Sequence, residues 1–264
     1  MGLPTAIGDP PGRVVCNFPC GAASAVATKL AIHKYGEVEI IYCNTGSEHA
    51  DNTRFIADCA RWFGQPITQL RSAKFASIYE VFEKRKFLVS PQGAPCTGEL
   101  KKVPGYAFHQ FGDVEIFGYT AAERHRVERW KKEHFTRVIE CPLIDHLLTK
   151  DDCFAMLARV GIELPEMYKM GFRNNNCIGC VKARDSIDYW KRVRKYFPRQ
   201  FKKTAELERR FNFAINRVQK DGQKRAVFLD EIEPGDPVGR DPNIQCGLFC
   251  ATELDQLEDN NATN

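Results

Sequence analysis

Apolar residues over positions 13–160 alternate between short runs typical of buried strands and longer stretches with helical spacing. A first strand is predicted at 13–18. Small apolar residues then recur with helical spacing, at Ala23, Val26, Ala27, Leu30 and Ala31. The Tyr35-Gly36 pair is predicted to end this helix.

The same strand and helix pattern continues along the chain. Further helices are predicted at 51–63, 77–85, 121–134 and 151–160, with Thr149 as the N-cap of the last one. Further strands are predicted at 38–43, 67–70, 114–119 and 137–141. Strands joined by helices of this length require right-handed crossovers. The predicted fold class is therefore α/β, with a doubly wound, Rossmann-like parallel sheet.

Three polar turns follow predicted strands, at 17–24, 44–49 and 118–126. In doubly wound sheets, ligands bind at the carboxyl ends of the strands. Small side chains in the first turn would let backbone N–H groups and a helix N-terminus approach a phosphate. Many such turns hold no ligand, so the first turn alone leaves both interpretations open. Three polar turns at one sheet edge are harder to explain by packing alone.

Composition and charge narrow the class of protein. Hydrophobic residues make up 43% of the 264 positions, which is ample for a core. No apolar run approaches the ~20 residues that span a bilayer, so a soluble, cytoplasmic protein without membrane partners is expected. The net charge of +4 is weak support for nucleic-acid binding. Basic residues and aromatics crowd 124–132, 182–203 and 209–225, which indicates either a polyanion-binding surface or solvated helices whose aromatics face the core.

The chain has 11 cysteines, and four of them form two short-spaced pairs, Cys177/Cys180 and Cys246/Cys250. Two such pairs can supply the four thiolates of a zinc ion or an iron-sulfur cluster. Cys246 also has a competing interpretation as a catalytic thiolate. Four further cysteines lie in apolar patterns that indicate core packing, namely Cys43, Cys59, Cys141 and Cys153.

The segment 90–96, rich in proline and glycine, is predicted to form a lid or substrate loop. Such a loop could place Lys101 to neutralise charge on a transferring phosphate, and Cys96 could carry or receive sulfur. The alternative is an ordinary surface connector with an incidental thiol.

The order of these segments resembles the phosphoadenosine phosphosulfate (PAPS) reductase family of the PP-loop superfamily, over about 14–250. The resemblance depends on Gly21-Ala-Ala-Ser24, Asn44-Thr-Gly-Ser-Glu48, Pro95-Cys96-Thr97 with Lys101, Gly118-Tyr-Thr with Glu123 and Arg126, 141–145, 164–172, and Gly239-Arg240 ahead of Gln245-Cys-Gly-Leu248.

The resemblance implies a PP-loop domain at 13–165 that binds ATP or PAPS with magnesium. A helical, cysteine-containing C-terminal region at 166–252 would hold the metal or cluster site. The implied nucleotide contacts are Cys20, Gly21, Ala22, Ala23, Ser24, Asn44, Thr45, Gly46, Glu48, Gly118, Tyr119, Glu123 and Arg126. The implied catalytic residues are Cys96, Lys101 and Cys246.

The resemblance leaves three functions open. The first is an ATP pyrophosphatase that adenylates an oxygen of a substrate such as DNA or tRNA, after which a donor such as a cysteine desulfurase supplies sulfur, as in DNA phosphorothioation or tRNA thiolation. The second is a sulfonucleotide reductase in which Cys246 attacks PAPS and thioredoxin releases sulfite. The third is a catalytically inactive, zinc-bearing nucleic-acid-binding module.

The chain departs from the family pattern at three points. Pro19-Cys20-Gly21 stands where the commonest PP-loop has Ser-Gly-Gly, and Asn44 stands where an aspartate is usual. Phe249 replaces a histidine of the reductase tail, and Cys250 follows it. The additional cysteines favour a four-thiolate site over a free nucleophile, and the first function over the second.

Overall fold

The computed structural model describes residues 12–220 and 223–239, together with Asp241 and Ile244. A five-stranded sheet has the strand order β3-β2-β1-β4-β5. Its strands are β1 (Val14–Asn17), β2 (Glu39–Cys43), β3 (Thr68–Leu70), β4 (Val114–Ile116) and β5 (Val138–Glu140).

The pairings of β1 with β2, β1 with β4, and β4 with β5 are all parallel. The chain moves outward from β1 to β3 and then returns to the other side of β1 to add β4 and β5. This order places a topological switch point between β1 and β4, where open α/β sheets bind ligands at their carboxyl ends. The predicted α/β fold with a Rossmann-like parallel sheet is confirmed.

The helices fall close to their predicted positions in the first 160 residues. Their bounds along the chain are α1 (Ala22–Tyr35), α2 (Asn52–Phe63), α3 (Ile78–Arg85), α4 (Pro95–Thr97), α5 (Val103–Phe108), α6 (Arg124–Glu133), α7 (Pro142–Asp145), α8 (Lys150–Arg159), α9 (Glu166–Lys169), α10 (Ile187–Tyr196) and α11 (Pro198–Phe211). A π-helical segment, Gly98–Lys102, joins α4 to α5, and a 3-10 turn, Ala121–Glu123, precedes α6.

Local chemistry explains where several of these helices begin and end. Gly36, at φ 80°, ends α1 at the predicted residue. The Thr149 hydroxyl accepts a hydrogen bond from the Asp152 N–H at 3.2 Å, so the predicted N-cap of α8 is confirmed.

The chain forms two compact units. Within the described residues, unit 1 comprises 12–42, 56–69 and 106–163, and unit 2 comprises 43–55, 70–105 and the residues from 164 onward. The core of unit 1 includes the fully buried Val15, Phe18, Val26, Ile40 and Leu157. The core of unit 2 includes Phe82, Leu88, Leu100, Trp190 and Leu229. These units interleave along the chain, and the sequence-based boundary at 165 stays a prediction.

The predicted helical C-terminal region contains α9, α10 and α11, but it also contains a hairpin that the sequence pattern did not predict. Strand β6 (Asn216–Lys220) pairs antiparallel with β7 (Gln223–Val227). Four of the five residues of β7 are exposed, and two of them, Lys224 and Arg225, are basic, so the strand lacks the apolar alternation that signals a half-buried strand.

The basic helices of unit 2 match the interpretation in which the aromatic residues face the core and the basic residues face solvent. Tyr189, Trp190 and Phe201 are buried in its core. Carboxylates compensate several of the exposed cations, as in the ion pairs Arg209–Asp230 at 2.6 Å and Arg210–Glu83 at 2.7 Å. Most basic residues of α10 and α11 therefore lie on the solvated faces of packed helices.

Three of the four cysteines assigned to core packing, Cys59, Cys141 and Cys153, are buried as predicted. Cys43 is half-buried, and its Sγ lies 3.7 Å from the carbonyl oxygen of Lys101. In the part of the chain that the structure describes, no helix has both the length and the apolar character needed to cross a bilayer.

Candidate functional site

In unit 1, the turn after β1 leads directly into the N-terminus of α1. Gly21 is the N-cap, and the Ser24 hydroxyl both accepts from the Gly21 N–H at 3.2 Å and donates to the Gly21 carbonyl at 2.8 Å. The first N–H groups of a helix have no intrahelical acceptor, and α1 has no acidic residue in its first turn. This end of α1 is therefore suited to an anion.

Cys20 holds an unusual backbone conformation in the same turn. Its φ is 62°, in the left-handed region, and its side chain is fully buried. Left-handed conformations cost a residue with a Cβ roughly 1–2 kcal/mol, and such residues are concentrated at functional sites. The turn therefore follows a backbone path that is usual for glycine, at a residue that has a Cβ. Residue spacing carries no signal of this conformation.

Gly118, in the turn after β4, lies against the same helix end. A Cβ built on Gly118 would lie 2.6 Å from the Ser24 Cα and 2.7 Å from the Ser24 nitrogen. Only glycine permits this close approach of the β4 turn to α1. Unit 1 thus brings together the first and third predicted turns at the switch point between β1 and β4.

Further along the β4 turn, Glu123 and Arg126 contact each other and the turn itself. Glu123 accepts hydrogen bonds from the Thr120 N–H and hydroxyl, both at 3.0 Å, and pairs with the Arg126 guanidinium at 3.2 Å. The same guanidinium lies 5.7 Å from the centre of the Tyr119 ring. These contacts give Glu123 and Arg126 a structural role in the turn, and their contact with a nucleotide stays a prediction.

In unit 2, the turn that follows β2 is tightly folded. The Asn44 side chain accepts from the Gly46 N–H at 2.9 Å. Gly46 has φ 65°, and a Cβ there would lie 2.0 Å from the Ala76 carbonyl oxygen. The Asn44 side-chain oxygen therefore accepts the Gly46 N–H and stabilises the turn, as an aspartate oxygen would.

Two other predicted site segments of unit 2 contact this turn. The Lys101 ammonium lies 3.6 Å from the Glu48 carboxylate, with both side chains about 95% buried. The Cys177 Sγ lies 3.1 Å from the Thr45 hydroxyl, and the Ile178 N–H donates to the Ser47 carbonyl at 2.8 Å. The turn, the Lys101 segment and the thiol loop, which were singled out separately in the sequence, thus meet in one unit.

The second thiol of the loop lies in equally polar surroundings. The Cys180 N–H donates to the Tyr189 hydroxyl at 2.8 Å, and Cys180 and Cys177 are both buried. Burial, and then the charge of the nearby Cys180 side chain, raise the pKa of Tyr189 well above its usual value, so the phenol that accepts this bond stays protonated.

Sequence reasoning missed two lysines of unit 2. Lys182, two positions after Cys180, is 96% buried. Burial lowers the pKa of Lys102, and the neighbouring Lys182 ammonium lowers it further. The two ammonium groups lie close enough to repel each other, and no spacing in the sequence signals such a pair.

Of the remaining predicted site residues, the structure describes Cys96. This cysteine is half-buried and packs against the core of unit 2. Cys246 and Cys250 lie outside the described residues, as does the Gln245–Leu248 tail. Within the described part, no three side chains of His, Cys, Asp or Glu are grouped closely enough to hold a metal ion. The four-thiolate site therefore stays a prediction.

Comparisons of the chain with models of known protein families and with the curated proteins found no match. The fold and the geometry within each unit are therefore the grounds for a function.

Proposed function

We propose that this protein is a PP-loop enzyme, similar to the PAPS reductases, that binds an adenine nucleotide and uses it for sulfur chemistry. The observation that carries the proposal is the switch point of unit 1. There a glycine-type turn and the N-terminus of α1 are packed against Gly118, with a Cys20 backbone that persists despite its conformational cost. This arrangement is suited to the phosphates of a nucleotide.

The favoured reaction is activation of a nucleic-acid oxygen for sulfur insertion. The substrate oxygen attacks the α-phosphorus of ATP, a bond to AMP forms, and pyrophosphate leaves. A sulfur nucleophile from a donor then displaces AMP. Unit 1 would hold the phosphates at the N-terminus of α1. Unit 2, taken by itself, contains Lys102 and Lys182 in addition to the predicted catalytic Lys101.

A side-by-side assay tests this reaction. Anaerobically purified protein is incubated with ATP and oligonucleotide, or with PAPS and thioredoxin, and pyrophosphate and sulfite are measured. The proposal expects pyrophosphate release that depends on the oligonucleotide. Sulfite release without pyrophosphate would instead identify a sulfonucleotide reductase. Nucleotide binding without either product would identify an inactive binding module.

The metal or cluster site is proposed at Cys177, Cys180, Cys246 and Cys250. Two of these thiols share one buried loop of unit 2. Bound metal stabilises the fold that presents its ligands. Replacing Cys177 or Cys180 with serine should therefore lower both metal content and thermal stability, and Cys59→Ser is the matched control for a buried cysteine outside the site. Full metal occupancy in Cys246→Ser would return Cys246 to the role of nucleophile.

A further inference from the structure

Three aromatic side chains are exposed at the amino ends of β4 and β5, in unit 1. Tyr106 is 43% exposed, Phe111 97% and Phe135 84%. We refer to these three residues as the aromatic rim. Tyr106 and Phe111 line one cavity together with Thr136, the neighbour of Phe135 in the chain. Large apolar side chains grouped in this way on a surface are typical of an interaction site.

The cavity inside the aromatic rim holds about 270 Å³. Cavities for drug-sized ligands have roughly 300–1,000 Å³, so this one is suited to a single flat ring system. Its walls combine aromatic faces with groups that can hydrogen-bond to ring edges, which include Gln110, Thr136 and two carboxylates, Asp113 and Glu115.

The cavity walls are fixed by ion pairs. Arg137 binds the Glu115 carboxylate at 2.6 and 2.7 Å, and its guanidinium lies 5.1 Å from the centre of the Tyr106 ring. Arg13 binds Asp113 at 2.8 Å. Because both carboxylates are held by arginines, they form a preorganised acceptor wall, and that wall disfavours an anion inside the cavity.

His109 lies between the two carboxylates of the wall. Its side chain is 5% exposed, with Nδ1 3.4 Å from Asp113 and Nε2 3.6 Å from Glu115. Burial is the main cause of a lowered His109 pKa, so the ring is neutral near pH 7 and can donate or accept. The ring therefore adds a polar group to this wall.

A cationic segment continues from the aromatic rim. The stretch 124–137 has six basic and two acidic residues. Two of the cations, Arg126 and Arg137, pair with Glu123 and Glu115 outside the stretch, which leaves an excess of two positive charges. Lys131 and Lys132 are exposed, four and three positions before Phe135. Exposed cations beside exposed aromatic faces are the combination that holds single-stranded nucleic acid, through phosphate contacts and base stacking.

We propose that this surface binds single-stranded nucleic acid, with one base in the cavity, neighbouring bases stacked on Phe111 and Phe135, and phosphates at Lys131 and Lys132. A single strand is required because bases in a duplex cannot present their faces to the rim. The acceptor wall favours bases with an exocyclic amino group, such as cytosine, over thymine. The inference depends on the proposed function only for its purpose. Because the rim and the nucleotide turn lie at opposite ends of the strands, the rim would hold a part of the sulfur acceptor away from the reacting oxygen.

Fluorescence anisotropy of labelled oligonucleotides of about ten nucleotides, a length within the usual binding-site range, tests the proposal at low salt. Oligodeoxycytidine should bind more tightly than oligodeoxythymidine and than a duplex. Stacking is worth about 1–3 kcal/mol per base, so the double variant Phe111→Ala/Phe135→Ala should bind at least about tenfold more weakly. Val238→Ala removes an apolar side chain that is 92% exposed in unit 2 and should bind normally.

The salt dependence tests the phosphate contacts. Each of Lys131→Ala and Lys132→Ala should reduce the slope of log affinity against log salt by about 0.7, the value for one lost phosphate contact to a single strand. Lys202→Ala removes an exposed lysine of α11 and should leave the slope unchanged.

Three results would overturn the proposal. One is undetectable binding of single strands by the wild-type protein, and another is wild-type affinity in the double phenylalanine variant. Equal affinity for cytidine and thymidine oligomers would exclude a base in the cavity. Gly21→Asp, which places a carboxylate at the nucleotide turn, separates this inference from the proposed function. Wild-type oligonucleotide binding is expected there, and its loss would place the strand at the nucleotide turn instead.

Discussion

The two units present different kinds of candidate site. The site of unit 1 is built from backbone, since Gly118 packs directly against the Ser24 backbone at the N-terminus of α1. The site of unit 2 is built from buried side chains, namely the Lys101–Glu48 pair and the Cys177 thiol against Thr45. A backbone site requires small residues in local turns, whereas a site of buried side chains requires partners from distant parts of the chain.

The largest effect is expected at the buried ion pair of unit 2. Removing one partner of such a pair leaves an uncompensated charge and typically costs about 3–5 kcal/mol. Lys101→Met should therefore lower the free energy of unfolding by about that amount, measured by urea denaturation. The double variant Lys101→Met/Glu48→Leu should recover most of the loss.

The matched control is the exposed pair Lys169–Glu166 in the same unit. Lys169→Met should cost less than about 1 kcal/mol, because solvent screens exposed pairs. Equal losses in Lys101→Met and Lys169→Met would show that the Lys101–Glu48 pair is not a distinctive feature of unit 2.

A pH effect is expected next, at Glu208 of unit 2. Burial raises the Glu208 pKa from 4.5 to about 7, although two backbone N–H groups, of Ile215 and Leu229, favour the carboxylate. Because the Glu208 pKa is higher in the folded than in the unfolded state, its contribution to stability is fully present below pH 4.5. This contribution is lost as the pH rises through 7 and the carboxyl ionises. The loss is at most about 3 kcal/mol.

Glu208→Gln removes the titrating group, so the wild-type free energy of unfolding should fall relative to the variant between pH 4.5 and 7.5. A difference that stays constant over this range would mean that the two N–H donors keep the carboxylate ionised. Unit 2 would then contain no titrating carboxyl at this position.

A smaller effect is expected from two glycines, one in each unit. An added methyl at Gly118 meets the Ser24 backbone, whereas an added Cβ at Gly98 meets nothing within 4 Å. Gly118→Ala should therefore cost about 1–3 kcal/mol, the usual range for overpacking. Gly98→Ala should be neutral or slightly stabilising, because alanine is the better helix former. Thermal melts of both variants measure the difference, and equal melting temperatures would contradict the close contact in unit 1.

The sequence predicted unit 1 better than unit 2 for a physical reason. The strands and helices of unit 1 follow apolar periodicity, and the turns that carry Gly21 and Gly118 follow strands that are neighbours in the sheet. In unit 2, the contact between Thr45 and Cys177 joins residues 132 positions apart, and no local pattern encodes it. The left-handed Cys20 and the lysines Lys102 and Lys182 were missed because backbone conformation and burial are not visible in residue spacing.

Titration calorimetry is the direct test of adenine-nucleotide binding at the turn between β1 and α1. ATP, AMP or PAPS should bind the wild-type protein, and Gly21→Asp should abolish binding because its carboxylate would meet the phosphates. Aspartate and asparagine are both good N-caps, and Gly21 has an extended backbone, so the uncharged Gly21→Asn is a matched control that should still bind. If the wild-type protein binds none of the three nucleotides at millimolar concentration, the account is contradicted.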